Sequence, residues 1–111
     1  RYRNNFADSS IIIPFSVQDN NAKSVYHILP VLLPKSMDRV SMIQHLKSLR
    51  IQSSIHYPPF WNFTAYKDYF SPSDAPVTAM ICNHQLTLPL FPTMTIDEVD
   101  EVTNGLLGAL I

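Results

Sequence analysis

The sequence predicts an α+β domain: a small, largely antiparallel sheet with helices packed on one face. Three observations lead there. Aliphatic, β-branched runs near residues 11–13, 25–33, 51–55 and 86–88 read as strands. Apolar residues recur with helical period at 38–49, 74–83 and 95–110. The link between the first two strands is too short for a parallel crossover, so they pair antiparallel or not at all. A strand layer and a helix layer, each with one apolar side, bury those sides against each other.

Residues 1–10 are largely polar and are expected to be the end of an upstream helix or a linker. Ile11, Ile12 and Ile13 form a β-branched run that Pro14 closes. The polar stretch Gln18–Lys23 reads as a loop or turn. Val25–Leu33 reads as the longest strand. Pro30 within it has no N–H to give to a ladder, which puts this strand at an edge or breaks it there. The strand alternates little, so the second face of the sheet is expected to have a partner.

Asp38–Leu49 changes period. Met42, Ile43, Leu46 and Leu49 make one helical stripe, with Asp38 as the expected N-cap and Ser36 as its competitor. The strand expected at Ile51–Ile55 stops this helix near Arg50, where a glycine is usual. A left-handed arginine there costs about 1 kcal/mol relative to glycine.

Asn62–Tyr69 is expected to form one or two helical turns. Asp74–Asn83 is expected to be a helix with Val77, Met80 and Ile81 on one face. Leu86–Leu88 is a short strand ended by Pro89. Thr95 opens the last helix: Thr95 and Glu98 have capping-box spacing, and Asp97 and Glu98 suit the positive helix start. Its apolar face is Ile96, Val99, Val102, Leu106, Ala109 and Leu110, and Gly105 and Gly108 weaken it towards the end.

The 111 residues make one domain by length, residues 1–111, long enough to bury a real core. Hydrophobic residues are 46% and charged residues 15%, which is a globular and not a disordered balance. The net charge of −1 is scattered, with no basic stripe for nucleic acid. The longest apolar run, Ile28–Leu33, is far short of a membrane span. The single cysteine, Cys82, excludes an internal disulfide and a CxxC metal site, and favours a reducing, cytoplasmic setting. Two glycines leave no phosphate cradle of either common type.

The segment SSIHYPPFWNF, residues 53–63, is the densest in chemistry. His56 ends a strand, and Tyr57 is held extended by Pro58. An imidazole there serves either hydrogen bonding and proton transfer in a cleft or a bond to a backbone carbonyl that holds the corner; the residues alone favour the second. Tyr57–Pro58 is expected to be trans. Of the aromatics, Trp61 is expected at an interface and Phe63 in the core. His27 reads as a satisfied sheet histidine, His45 as solvated and His84 as a helix C-terminal cap. The spacing of His27, His56 and His84 does not make a zinc site. Cys82 reads as a small buried hydrophobe and not a nucleophile.

Two stretches, LKSLRIQSSIHYPPFWNFTAY and LTLPLFPTMTIDEVDEV, resemble the C-terminal small domain of the DegT/DnrJ/EryC1/StrS family, pyridoxal-phosphate aminotransferases of fold type I. The resemblance is carried by His56-Tyr57-Pro58 and by Leu88-Pro89-Leu90-Phe91-Pro92 followed by Met94-Thr95. It departs at Arg50, where many relatives have glycine, and at Trp61, where many have histidine. The resemblance implies a parent enzyme acting on a sugar-nucleotide or related keto substrate. His56, Tyr57 and Trp61 would then be substrate-binding and the domain one wall of the cleft. A large N-terminal domain would supply pyridoxal phosphate and its lysine, and the parent would be a homodimer. None of Lys23, Lys35, Lys47 and Lys67 has the family's Schiff-base context, so this chain alone is expected neither to hold the cofactor nor to transaminate. A dehydratase of the same family and a stand-alone binding domain are the alternatives.

Overall fold

A computed structural model describes residues 1–15 and 24–110. The turn expected at 18–23 lies outside the described residues. The sheet is the predicted antiparallel kind, but smaller. Strand β1 (Leu29–Leu32) pairs with β2 (Gln85–Leu88) in the register Leu29 to Leu88 and Leu32 to Gln85. Single bridges extend it on both sides, Ile12 to Leu32 and Ser54 to Thr87. The expected strands at 11–13 and 51–55 are therefore one bridge each.

The long strand expected at 25–33 shrinks for a geometric reason. Leu29 stands opposite Leu88, so Ile28 would have to pair with Pro89, which has no N–H. Val25, 87% exposed, and His27 lie before the strand, and His27 is exposed and not a sheet histidine. Pro30 does sit at an edge. Thr87 spends its N–H and its carbonyl on Ser54, at 2.8 and 3.1 Å, so the Pro30–Thr87 pair exchanges no ladder bond. The nitrogen of Pro30 faces the open side, where only Leu32 meets Ile12.

Among the described residues three helices follow the sequence pattern with shifts at their ends, and a short one stands where an upstream helix end or a linker is expected. Helix α1 (Tyr2–Asn5) makes residues 1–6 a packed element and not a frayed one. Tyr2 and Phe6 are buried in the core, and the Tyr2 hydroxyl donates to the Pro89 carbonyl at 2.9 Å. Burial pushes the Tyr2 phenol up to about 12. The Arg1 guanidinium grips both oxygens of Asp100, at 2.8 and 2.6 Å, and Asn5 adds a third bond at 2.7 Å.

Helix α2 (Arg39–Ser48) starts at the Asp38 cap, whose carboxylate accepts from the Ser41 N–H at 2.8 Å; Ser36 does not compete. It ends in a Schellman motif. The Ile51 N–H bonds the Leu46 carbonyl and the Arg50 N–H bonds the Lys47 carbonyl, each at 2.9 Å, with Arg50 left-handed at φ 61°. Met42 and Leu46 are buried, while Leu49 at the end of the expected stripe is exposed.

Helix α3 (Pro76–His84) begins two residues late because Pro76 fits the first helical position, after a 3-10 turn at Pro72–Asp74. Its expected apolar face is not buried: Val77 and Met80 are exposed, and Cys82 is the residue that turns inward. His84 is the last residue of α3, and its carbonyl accepts from the Leu33 N–H at 2.9 Å. Arg39 of α2 donates to the carbonyls of Cys82 and Gln85, which ties α2 to the junction of α3 with β2.

Helix α4 (Ile96–Gly108) has the predicted capping box. Thr95 Oγ1 accepts from the Glu98 N–H at 3.2 Å, and Glu98 accepts from the Thr95 N–H at 2.7 Å. Val99, Val102 and Leu106 face the core, but Ile96 in the first turn is 64% exposed.

The core lies between the sheet and these helices. Val31, Leu33, Met42, Leu46, Leu86, Leu88, Val102 and Leu106 form its centre. Gly105 lets α2 and α4 approach closely. The same close approach brings His45 Nε2 to 3.0 Å from the Gly105 carbonyl, so His45 bonds to α4 and is not free in solvent.

Candidate functional site: the His56 corner

Strand β2 reads Gln85-Leu86-Thr87-Leu88, and all four residues are buried. Alternation along a strand sends Leu86 and Leu88 into the core and Gln85 and Thr87 to the opposite face. Buried polar side chains need partners, and these two find theirs in the corner. The Gln85 amide donates to the Tyr57 carbonyl at 2.9 Å, and Cys82 Sγ approaches the same oxygen at 3.8 Å. Thr87 Oγ1 lies 3.1 Å from His56 Nδ1, and Ser54 Oγ lies 3.2 Å from the same nitrogen.

The corner is thus fastened at three successive points: backbone at Ser54, side chain at His56 and carbonyl at Tyr57. The half-buried imidazole is engaged through Nδ1 by hydroxyls and not by a backbone carbonyl. Its Nε2 has no partner among the described residues. The exposed Tyr57 ring stands edge-on to it, centroids 5.1 Å apart at 89°. The peptide between His56 and Tyr57 is cis, while Tyr57–Pro58 is trans, as expected.

Beyond Pro59 the chain makes a 3-10 turn at Phe60–Asn62 and further turns to Tyr69, in place of one or two helical turns. The expected roles of two aromatics reverse. Trp61 is buried, 8% exposed, and Phe63 is 50% exposed. Tyrosine and phenylalanine rings instead build a surface cluster, with Phe60 edge-on to Tyr66 and Phe70 at 6.0 and 5.2 Å. Val77 and Met80 of α3 add further exposed apolar area.

Of the three predicted site residues, His56 and Tyr57 meet at the corner, and Trp61 is turned inward. Gln85, Thr87 and Ser54 were missed. The signal for Gln85 and Thr87 was the polar alternation of QLTL in a strand that has no solvent face; Ser54 had none. A cavity of about 400 Å³ lies beside Ser54 and Thr87, lined by Arg50, Ser53, Phe91, Met94 and Glu101 among others; His56 does not line it. Ser53 Oγ is buried there without a partner among the described residues.

A Schiff-base cofactor needs a lysine in a dry pocket. Lys35, Lys47 and Lys67 all lie exposed, so the described residues do not fit that role. No group of three or more His, Cys, Asp or Glu suited to a metal ion occurs among the described residues. Among the described residues no helix is long and apolar enough to cross a membrane.

The sequence model of the DegT/DnrJ/EryC1/StrS aminotransferase family matches residues 1–107. An uncharacterised protein of Methanocaldococcus jannaschii is 28% identical over 90 residues, covering 77% of this chain and 23% of its own length. A protein of Streptococcus pneumoniae assigned as a sugar aminotransferase, solved in a PLP-form among others, superposes with a TM-score of 0.85 at 28% identity. That match covers 95% of this chain and 27% of the other. The aminotransferase TlmJ of Streptoalloteichus hindustanus gives a TM-score of 0.84 at 22% identity, over 99% of this chain and 30% of its own, a likeness of fold. The chain therefore spans about a quarter of the length of the proteins it matches.

Proposed function

The chain belongs to the DegT/DnrJ/EryC1/StrS aminotransferase family, and from that premise we propose that it serves as the C-terminal small domain of a pyridoxal-phosphate enzyme. In this reading the enzyme aminates a sugar-nucleotide or related keto substrate, as a cytoplasmic homodimer. Its large domain supplies the cofactor and the Schiff-base lysine. The small domain forms one wall of the cleft, and His56 and Tyr57 touch the substrate.

The observation that supports this reading is the fastening of the corner. A corner histidine that merely closed a turn would need one bond. Here two hydroxyls meet a single imidazole, a backbone bridge at Ser54 and a buried amide on the Tyr57 carbonyl hold the chain on either side of it, and its Nε2 is unengaged among the described residues. Preorganisation of that kind suits a group that meets a ligand. The exposed Phe60, Tyr66, Phe70, Val77 and Met80 give the large domain an apolar surface to cover.

The test is His56→Asn in the full-length enzyme. A substrate contact predicts a raised KM or a kcat/KM lowered by about 1–3 kcal/mol with the melting point nearly unchanged. Wild-type kinetics with a clearly lowered melting point would leave His56 a structural corner and overturn the reading.

A further inference from the structure

We propose that Thr87 sets the proton of His56: it holds the neutral imidazole in the tautomer with Nδ1 bare and Nε2 protonated, making His56 a hydrogen-bond donor to its ligand. The inference rests on the reading of His56 as a substrate contact, but the proton placement stands on geometry alone.

The argument is one of satisfying donors. Thr87 is 5% exposed although it borders the cavity beside Ser54, so its hydroxyl is largely withdrawn from water. A hydroxyl carries one proton, and burying it unbonded costs about 1–3 kcal/mol. Among the described residues the one hydrogen-bond partner of Thr87 Oγ1 is His56 Nδ1, at 3.1 Å. The hydroxyl therefore donates, and Nδ1 accepts with its lone pair. An imidazole whose Nδ1 accepts carries its proton on Nε2. Ser54 lies at 3.2 Å from the same nitrogen, but Ser54 is exposed and its hydroxyl can be satisfied by solvent. Thr87 is also the more rigid of the two. It sits inside β2, and its N–H and carbonyl are both held by Ser54. Threonine χ1 is stiff, so the donor is aimed by the strand itself.

The consequence is chemical. Nε2, unengaged among the described residues, presents an N–H. The ligand atom that meets it is an acceptor oxygen: a carbonyl, a hydroxyl or a phosphate. Neutral His56 does not take a proton from that ligand through Nε2. Thr87 is a positioning residue that acts through His56, and it touches no substrate.

The readout is the long-range proton–nitrogen correlation spectrum of this chain labelled with isotopic histidine, at a pH where the imidazole is neutral, with the His56 signals assigned by their loss in His56→Asn. We expect the pattern of a bare Nδ1 and a protonated Nε2 in the wild type, in Ser54→Ala and in Thr87→Ser. In Thr87→Val, which keeps the shape and removes the hydroxyl, the Nδ1-protonated form should become populated. A wild-type spectrum with the proton on Nδ1 overturns the proposal without any variant. So does a folded Thr87→Val chain with an unchanged pattern. The spectrum needs no substrate, so it is independent of the kinetics of His56→Asn: a bare Nδ1 beside unaltered kinetics would remove the substrate contact and leave the proton placement intact.

Discussion

Replacing Gly105 with alanine pits helix propensity against packing at one atom. Gly105 lies inside α4, where glycine is less favourable than alanine by about 1 kcal/mol. A Cβ added there would stand 2.8 Å from Ile51 Cδ1 and 3.1 Å from Leu49 Cδ1. The first distance is shorter than carbon atoms tolerate, so Ile51 must move. Overpacking of this kind costs about 1–3 kcal/mol. Two things hold the cost near the low end: the contacted atom is the flexible tip of its side chain, and Ile51 borders the cavity of about 400 Å³. Gain and cost then nearly cancel, and Gly105→Ala should lie within about 1 kcal/mol of the wild type on either side. Gly108 supplies the control. A Cβ there meets nothing within 4 Å, so Gly108→Ala should stabilise by about 0.5–1 kcal/mol. Gly105→Val adds two methyl groups in the same place and should cost about 2 kcal/mol or more. Denaturant midpoints at constant m-value measure all three. If Gly105→Ala stabilises as much as Gly108→Ala, and Gly105→Val is harmless, the close approach of α2 and α4 at this glycine is wrong.

Arg50→Gly should stabilise the chain by about 1 kcal/mol, because the residue is held at φ 61° after α2 and glycine relieves that strain; a denaturation midpoint that falls instead would mean that the arginine side chain does more than the backbone argument allows. The Arg1 guanidinium and the Asn5 amide hold the Asp100 carboxyl at about 2, below its ordinary 3.8. A depressed folded value gives stability that is fully present above 3.8 and is lost as pH falls through about 2. Asp100→Asn should therefore lower the melting point at neutral pH and lose most of that deficit in strong acid, whereas a deficit that does not change with pH would show that the charge is immaterial.

The helices were legible because their signals are local. Thr95 and Glu98 announce a capping box within four residues, and Asp38 caps α2 from beside it. The left-handed Arg50 was also readable, since a helix running into an extended segment without glycine leaves one residue to absorb the reversal. Strand lengths were not legible. By residue type Val25–Ile28 suits a strand as well as Leu29–Leu32 does, and what ends β1 is Pro89 standing opposite, in a distant part of the chain. The corner divides in the same way. His56 and Tyr57 stand out by composition, but the residues that fasten them are ordinary in type, and only the pairing of Ser54 with Thr87 brings them together. Trp61 and Phe63 were exchanged because burial on an irregular turn follows from where the turn points, which no short periodicity encodes.

The two-faced strand β2 has a consequence for how such a domain changes over evolutionary time. Everything that fastens the corner comes from Ser54, Cys82, Gln85 and Thr87. Nothing in that fastening draws on the aromatic turns from Phe60 to Phe70. Lineages can therefore exchange those aromatics, lengthen the turns or alter their charge while the imidazole keeps its place. The same arrangement makes β2 intolerant. A one-residue insertion within Gln85–Leu88 would swap its faces, bringing polar groups into the core and leucines under the histidine. Diversity should collect after Pro59, and constraint in the four residues that fasten the corner.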